Sequence, residues 1–245
     1  MPLNLIHIPK TGGTSIEFFL DSNNIEYTSH HLVKMNSPMN ETEKYITVIR
    51  NPISRFVSAF NYYLSLVSQN LNDVSYNKLN LDNCLSPYFT KKKMVTNYYF
   101  DPFIDDLILH FETANKLAES LSSDDVNIKN KALSLCGYSH FAGIGFYLDK
   151  NFINSFHRNI VWVGILENID NDIEILCKTL DIKDASKMKK IRENKNNHSK
   201  YLSDKAIKNL LEFYNDDYIS IELLQKYNLI DSNILNSYRE YSNSS

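Results

Sequence analysis

Residues 5–19, LIHIPKTGGTSIEFF, set a short apolar run against a turn carrying a lysine, two adjacent glycines and three hydroxyls, then restart as an amphipathic segment. Gly12 and Gly13 permit positive φ and close backbone approach, and the N–H groups after them can cradle an anion. Thr14 and Ser15 add hydroxyl donors and Lys10 a full charge. The turn suits a phosphate, with Lys10, Thr11, Gly12, Gly13, Thr14 and Ser15 as its candidate contacts. It also admits a plainer reading, a glycine-permitted bend with an N-capping Thr or Ser and a solvated lysine. A nucleoside-triphosphate loop reads G-x-x-x-x-G-K-[ST], with the lysine after the last glycine and a Mg²⁺-binding hydroxyl next. Here Lys10 precedes both glycines and no glycine opens the loop, which removes the main support for a nucleotide kinase.

The elements around this turn have to position it. Leu3–Ile8, ended by Pro9, has the pattern of a buried strand, and Thr14–Leu20 restarts with helical density. Ile25–Leu32 reads as a second strand and Lys44–Arg50 (KYITVIR) as a third, closed by Asn51-Pro52. Pro52 suits the first turn of a helix, and Phe56, Phe60, Tyr63, Leu64 and Val67 follow at core-facing spacing. From about Ser68 to Phe156 the pattern weakens, apart from a helix expected over Asp125–Cys136. Ile160–Leu166 (IVWVGIL) is a further buried strand with a helix over Asp170–Leu180. After a basic polar segment, Asp204–Tyr227 carries apolar residues at helical spacing throughout. Strands alternating with helices predict an α/β fold, a parallel sheet with right-handed crossovers and helices on its faces. In such sheets ligands sit beyond the carboxyl ends of the strands, where helix N-termini point outward.

Composition bounds the rest. A chain of 245 residues, 43% hydrophobic and 22% charged, without a Pro/Gly/Ser-rich linker, is expected to be one domain. With 26 basic against 29 acidic side chains the net charge is -3, so no global field draws the protein onto nucleic acid, and any anion site must be local. Cys84, Cys136 and Cys177 are odd in number, far apart and without metal-ligand spacing, as core thiols in a reducing compartment would be. No dense His/Asp/Glu cluster suggests a metal. Neither a secretory signal nor an apolar run of membrane-spanning length is evident, so the expected location is cytoplasmic.

IHIPKTGGTSI resembles the 5′-phosphosulfate loop of sulfotransferases that use 3′-phosphoadenosine 5′-phosphosulfate (PAPS), in particular the carbohydrate group that includes heparan sulfate 2-O-sulfotransferase. VIRNPISRFVSAFNYY, residues 48–63, resembles the 3′-phosphate element of that family: an Arg at the strand end, Asn-Pro, a second Arg, and a Ser eight positions beyond the first. Arg50 and Ser58 fill those positions, and a cation at a strand end with a hydroxyl about two helical turns on can converge on one phosphate. WVGILENIDNDIEILCKTL and KIRENKNNHSK, ahead of a helix ending in NDDYISIELL, resemble later parts of the same family, the second stretch adding Lys195 and Arg192 as cofactor-side positions. The likeness covers most of residues 3–66 and 160–227, and it implies that the poorly patterned residues 68–156 are an acceptor-side insertion.

The resemblance implies a P-loop-like sulfotransferase fold and in-line transfer of a sulfuryl group from PAPS to a hydroxyl, that of a carbohydrate, without a metal. Lys10 would stabilise charge developing on the sulfonate and leaving phosphate. The family takes its base from a histidine just after the second strand, and YTSHHLVKM offers His30 and His31. His31, followed by Leu32, fits better; the two differ by one residue and so by sheet face. His7, between strand residues Ile6 and Ile8, reads as a packed core or sheet-end imidazole; Arg55 could touch the 3′-phosphate or pair with a protein carboxylate, and the structural role is favoured. Lys91–Lys93 with Tyr98-Tyr99 reads either as an acidic-sugar contact or as solvated surface. A non-catalytic nucleotide- or anion-binding module of the same fold is the alternative.

Overall fold

The computed structural model describes residues 2–35, 42–72, 94–96, 108–183 and 198–241. Cys84, Lys91–Lys93, Tyr98-Tyr99, Arg192 and Lys195 lie outside them.

Five strands form one parallel sheet: β1 (Leu3–His7), β2 (Thr28–His31), β3 (Lys44–Ile49), β4 (Met94–Thr96) and β5 (Ile160–Ile165), in the spatial order β4-β2-β1-β3-β5. The first of these is buried along its whole length, as a central parallel strand covered on both faces must be. Its side chains alternate between two apolar layers. Leu3 and Leu5 join Ile46, Val48 and Trp162 under helices α1 (Gly13–Ser22) and α7 (Ile169–Leu180). Ile6 and Ile8 face the larger core, where α2 (Pro52–Asn72) contributes Ile53, Phe56 and Phe60. The α/β architecture with helices on both faces of a parallel sheet is the one expected from the alternating pattern.

The order of the strands places the two glycine- and arginine-bearing turns side by side. From β1 the chain crosses to β2 on one side, whereas β3 pairs with β1 on the other, so ligand-binding turns meet above β1, where the strand order reverses. Ile6 pairs with Thr47, which brings Arg50, three residues on, level with Pro9 at the start of the glycine turn.

Residues 108–156, where the amino-acid pattern was weak, supply α3 (Ala114–Ser120), α4 (Val126–Cys136), a 3₁₀ turn at Ser139–Phe141, α5 (Ile144–Tyr147) and α6 (Lys150–Phe156), all packed into the larger core. Asp125 caps α4 by accepting from the N–H groups of Asn127 and Ile128, at the boundary read from composition. Cys136 and Cys177 are buried free thiols, and burial pushes the Cys136 thiol up.

One expectation needs correction. The stretch Asp204–Tyr227 is not a single helix but two, α8 (Asp204–Phe213) and α9 (Asn215–Lys226), broken at Tyr214. Two long-range contacts lie at the break and just after it. Tyr214 is buried, donates its hydroxyl to the Phe141 carbonyl at 2.8 Å, and packs its ring 5.5 Å from the Arg55 guanidinium. Three residues on, Asp217 is buried and accepts from the Gly145 N–H at 2.9 Å. A short final helix, α10 (Ile234–Arg239), follows.

Candidate active site

The glycine turn is built from the backbone outward. Lys10 (φ 66°) and Gly12 (φ 91°) both occupy the left-handed region, unusual for a lysine, and together swing the chain from β1 into α1. Gly12 is the N-cap of α1 and no side chain caps the helix. Thr14 and Ser15 therefore stand inside the first turn and not in the capping position, which removes the N-capping hydroxyl from the plainer reading of this bend. Both are partly exposed. Thr11 is different: its side chain is buried and its hydroxyl donates to the Ile8 carbonyl at 2.8 Å, so it braces the loop. Each glycine fills a place that a Cβ would obstruct. At Gly12 a Cβ would lie 2.7 Å from Cδ1 of Leu166, and at Gly13 one would lie 2.3 Å from the His7 ring.

Two cations flank the uncapped helix end. The Lys10 Nζ sits 4.0 Å above the centre of the Tyr62 ring, on α2. Arg50 donates from Nη1 to the Lys10 carbonyl at 3.3 Å, and its Nε lies 4.0 Å from Oε1 of Glu167. Asn51 caps α2 through its Oδ1, which accepts from the N–H groups of Ile53 and Ser54. The side chain of Ser58 is partly exposed two turns into α2, in line with the partly exposed Ser54, Tyr62 and Ser65. Beside the same helix, Ser199 accepts from Asn61 Nδ2 and His198 Nε2 lies 3.2 Å from Ser65 Oγ. The basic segment that carries Arg192 and Lys195 thus re-enters the described residues alongside α2.

The histidines separate as strand alternation requires. His30 points to the larger core side, where its Nε2 meets Oδ1 of Asn4 at 2.8 Å. His31 points the other way, with its ring 4.3 Å from that of His7 and 6.0 Å from that of His140. It is the last residue of β2, and Leu32 (φ 59°) turns the chain sharply after it. The His31 Nδ1 is buried without a hydrogen-bond partner. Burial, with His7 next to it, pushes the His31 imidazole down to about 3 against the opposing pull of Glu17. Burial lowers His140 as well, to well below the ordinary histidine range.

Residues 3–220 match the family model described as "Sulfotransferase family". The chain belongs to the sulfotransferase family. No curated protein and no solved structure matches it. In this sulfotransferase the loop, the Arg50 turn and the histidine strand all fall within the matched residues, as does Glu167. Sulfuryl transfer is the chemistry that belongs to the family.

Several residues of the site were not evident from the amino-acid pattern. Glu167, in the 3₁₀ turn after β5, accepts from the Asn51 N–H at 3.1 Å and from the Tyr238 hydroxyl at 2.8 Å while facing Arg50. It ties the Arg50 turn to β5 and to α10. Its only signal was its place in the ENID stretch after a strand. His140 had none: it comes from the 3₁₀ turn, where its Nδ1 lies 2.8 Å from the Tyr63 hydroxyl and its carbonyl accepts from the buried Arg55. Arg55 donates a second time to the Phe141 carbonyl at 3.0 Å and has the structural role read for it. Among the described residues, no group of three His, Cys, Asp or Glu side chains could hold a metal ion, and no helix is long and apolar enough to cross a membrane.

Proposed function

We propose that the protein transfers a sulfuryl group from PAPS to a carbohydrate hydroxyl. The observation that carries this reading is the hydrogen bond from Arg50 to the Lys10 carbonyl, which joins the turns after two paired strands into one cationic rim around an uncapped helix N-terminus. A donor with separated 5′- and 3′-anions needs two such poles at once.

The residues present fit the donor. The uncapped start of α1, the glycines that leave no room for a Cβ, and Lys10 would hold the 5′-phosphosulfate; Arg50 and Ser58 would hold the 3′-phosphate, with Lys195 as a further contact. PAPS supplies the sulfuryl group and a bisphosphate leaving group. The acceptor oxygen forms a new S–O bond as the S–O bond to the 5′-phosphate breaks, and the hydroxyl proton passes to His31. Lys10, steadied on Tyr62, meets the charge that grows on the phosphate oxygen as it leaves. In this reading the chain is a single domain, and the described residues 108–156 contribute to its acceptor side.

The free protein holds His31 at about 3, a weak base for work near neutral pH. Donor binding changes this, since a phosphosulfate brought beside the ring favours its protonated form. The test is mass spectrometry of PAPS consumption across a panel of carbohydrate acceptors. Transfer is expected to fall about 10²–10⁴-fold in His31→Ala, with His30→Ala much less affected. Full activity in both variants would remove histidine from the reaction.

A further inference from the structure

His7, which its place between strand residues Ile6 and Ile8 marks as a packed core or sheet-end imidazole, stands at the junction of loop, base and a buried acid. It is the last residue of β1 and pairs in register with His31. Its ring meets that of His31 edge to face, with centroids 4.3 Å apart. On the helix side its Nδ1 lies 3.2 Å from Oε1 of Glu17, near enough for an ion pair although off the line of a hydrogen bond. On the loop side Gly13 presses on it: a Cβ there would come within 2.6 Å of its Nε2. Wedged on three sides, the ring has little room to turn.

Glu17 explains why a histidine is there. It is only 2% exposed, and its Oε1 also accepts from Ser29 Oγ at 2.6 Å. A buried carboxylate needs a cation or several donors, and His7 can supply the charge. We propose that His7, anchored by Glu17, is a positioning residue for sulfuryl transfer: it fixes the plane of His31 and keeps that ring in the uncharged form that accepts a proton. The inference rests on the reading of His31 as the base.

The charges around the pair support this division of roles. His31 faces His7 from β1, Glu17 from α1 and His140 from the 3₁₀ turn; Lys10 of the loop and Arg55 of α2 bear on His140 in turn. The His7 ring, anchored beside Glu17, works against a proton on the adjoining His31 ring. Glu17 pulls His31 the other way, but it is already engaged by His7 and Ser29.

The sign of the effect gives the test. The pH dependence of kcat/KM for PAPS reports the free enzyme. In the wild type it should stay level from pH 8 down to about 5, well below the ordinary histidine value, because His31 titrates near 3. His7→Asn keeps an amide to meet Glu17 and removes the imidazole that opposes a proton on His31, so its acid limb should move up by about 1–3 pH units, while affinity for 3′,5′-bisphosphoadenosine stays within about twofold. Should His7→Asn fold poorly, His7→Gln carries the same test, and the wild-type profile needs no variant at all. A wild-type limb near 6.5, or unshifted limbs in the His7 variants, would overturn this role for His7 while leaving His31 as base. Undiminished turnover in His31→Ala would instead overturn the reading on which the inference rests.

Discussion

Lys10 illustrates how much a single residue must reconcile. It adopts a backbone conformation that favours glycine, gives its carbonyl to Arg50 and lays its ammonium over Tyr62. Strain of this kind persists only where surrounding contacts enforce it, and here they aim a cation at the end of a helix that no side chain caps. Because the backbone N–H groups of the loop survive truncation, Lys10→Ala should leave nucleotide affinity almost intact and lower kcat about 10²-fold, as removal of one transition-state donor does. Steady-state kinetics beside calorimetry separates the two quantities. A rise in KM with kcat unchanged would make Lys10 a binding residue only. At this scale the residue types of the loop were legible from their order along the chain, since glycine, lysine and hydroxyls together have few other uses. The division of labour among the hydroxyls was not. Thr11 turns inward to the Ile8 carbonyl, a choice that depends on the path of the loop in three dimensions.

The strands and the helices that start at the two turns were legible because their signals are local: short β-branched runs, a proline at the first helical turn, and an apolar stripe. The break at Tyr214 was not, because the periodicity of Asp204–Tyr227 continues across it, whereas the contacts made there, to the Phe141 carbonyl and the Gly145 N–H, are long-range. The same holds for the 3₁₀ turn that delivers His140, which Arg55 holds from α2 through two carbonyls. The junction of β1 and α1 offers the sharpest test of an element boundary. Gly13 is the first residue of α1 and is needed for space, since a Cβ there would run into the His7 ring. Gly13→Ala, which helix propensity alone would favour, should therefore destabilise the protein by about 1–3 kcal/mol, the range for forcing extra atoms into a packed site. Urea unfolding of the variant checks this, and a gain in stability would mean that the ring yields readily.

Over the whole molecule, the sheet order brings the β1–α1 and β3–α2 turns together, and Glu167 binds that junction to the end of the chain through Tyr238. Neither the neighbourhood of the turns nor the return of α10 could be read along the chain, where Arg50 and Tyr238 are far apart. What could be read was that each turn follows a strand and precedes a helix, and a parallel sheet gathers such turns at one edge. The central claim is that these two turns form a single site with a pole for each end of the donor. Calorimetry of 3′,5′-bisphosphoadenosine and of AMP, on the wild type and on Arg50→Ala, tests it most directly. The account predicts that the bisphosphate binds the wild type much more tightly than AMP, and that Arg50→Ala weakens the bisphosphate by about 1.5–3 kcal/mol, the range for charge-assisted hydrogen bonds, while scarcely changing AMP. Equal affinity of the wild type for the two nucleotides would contradict it.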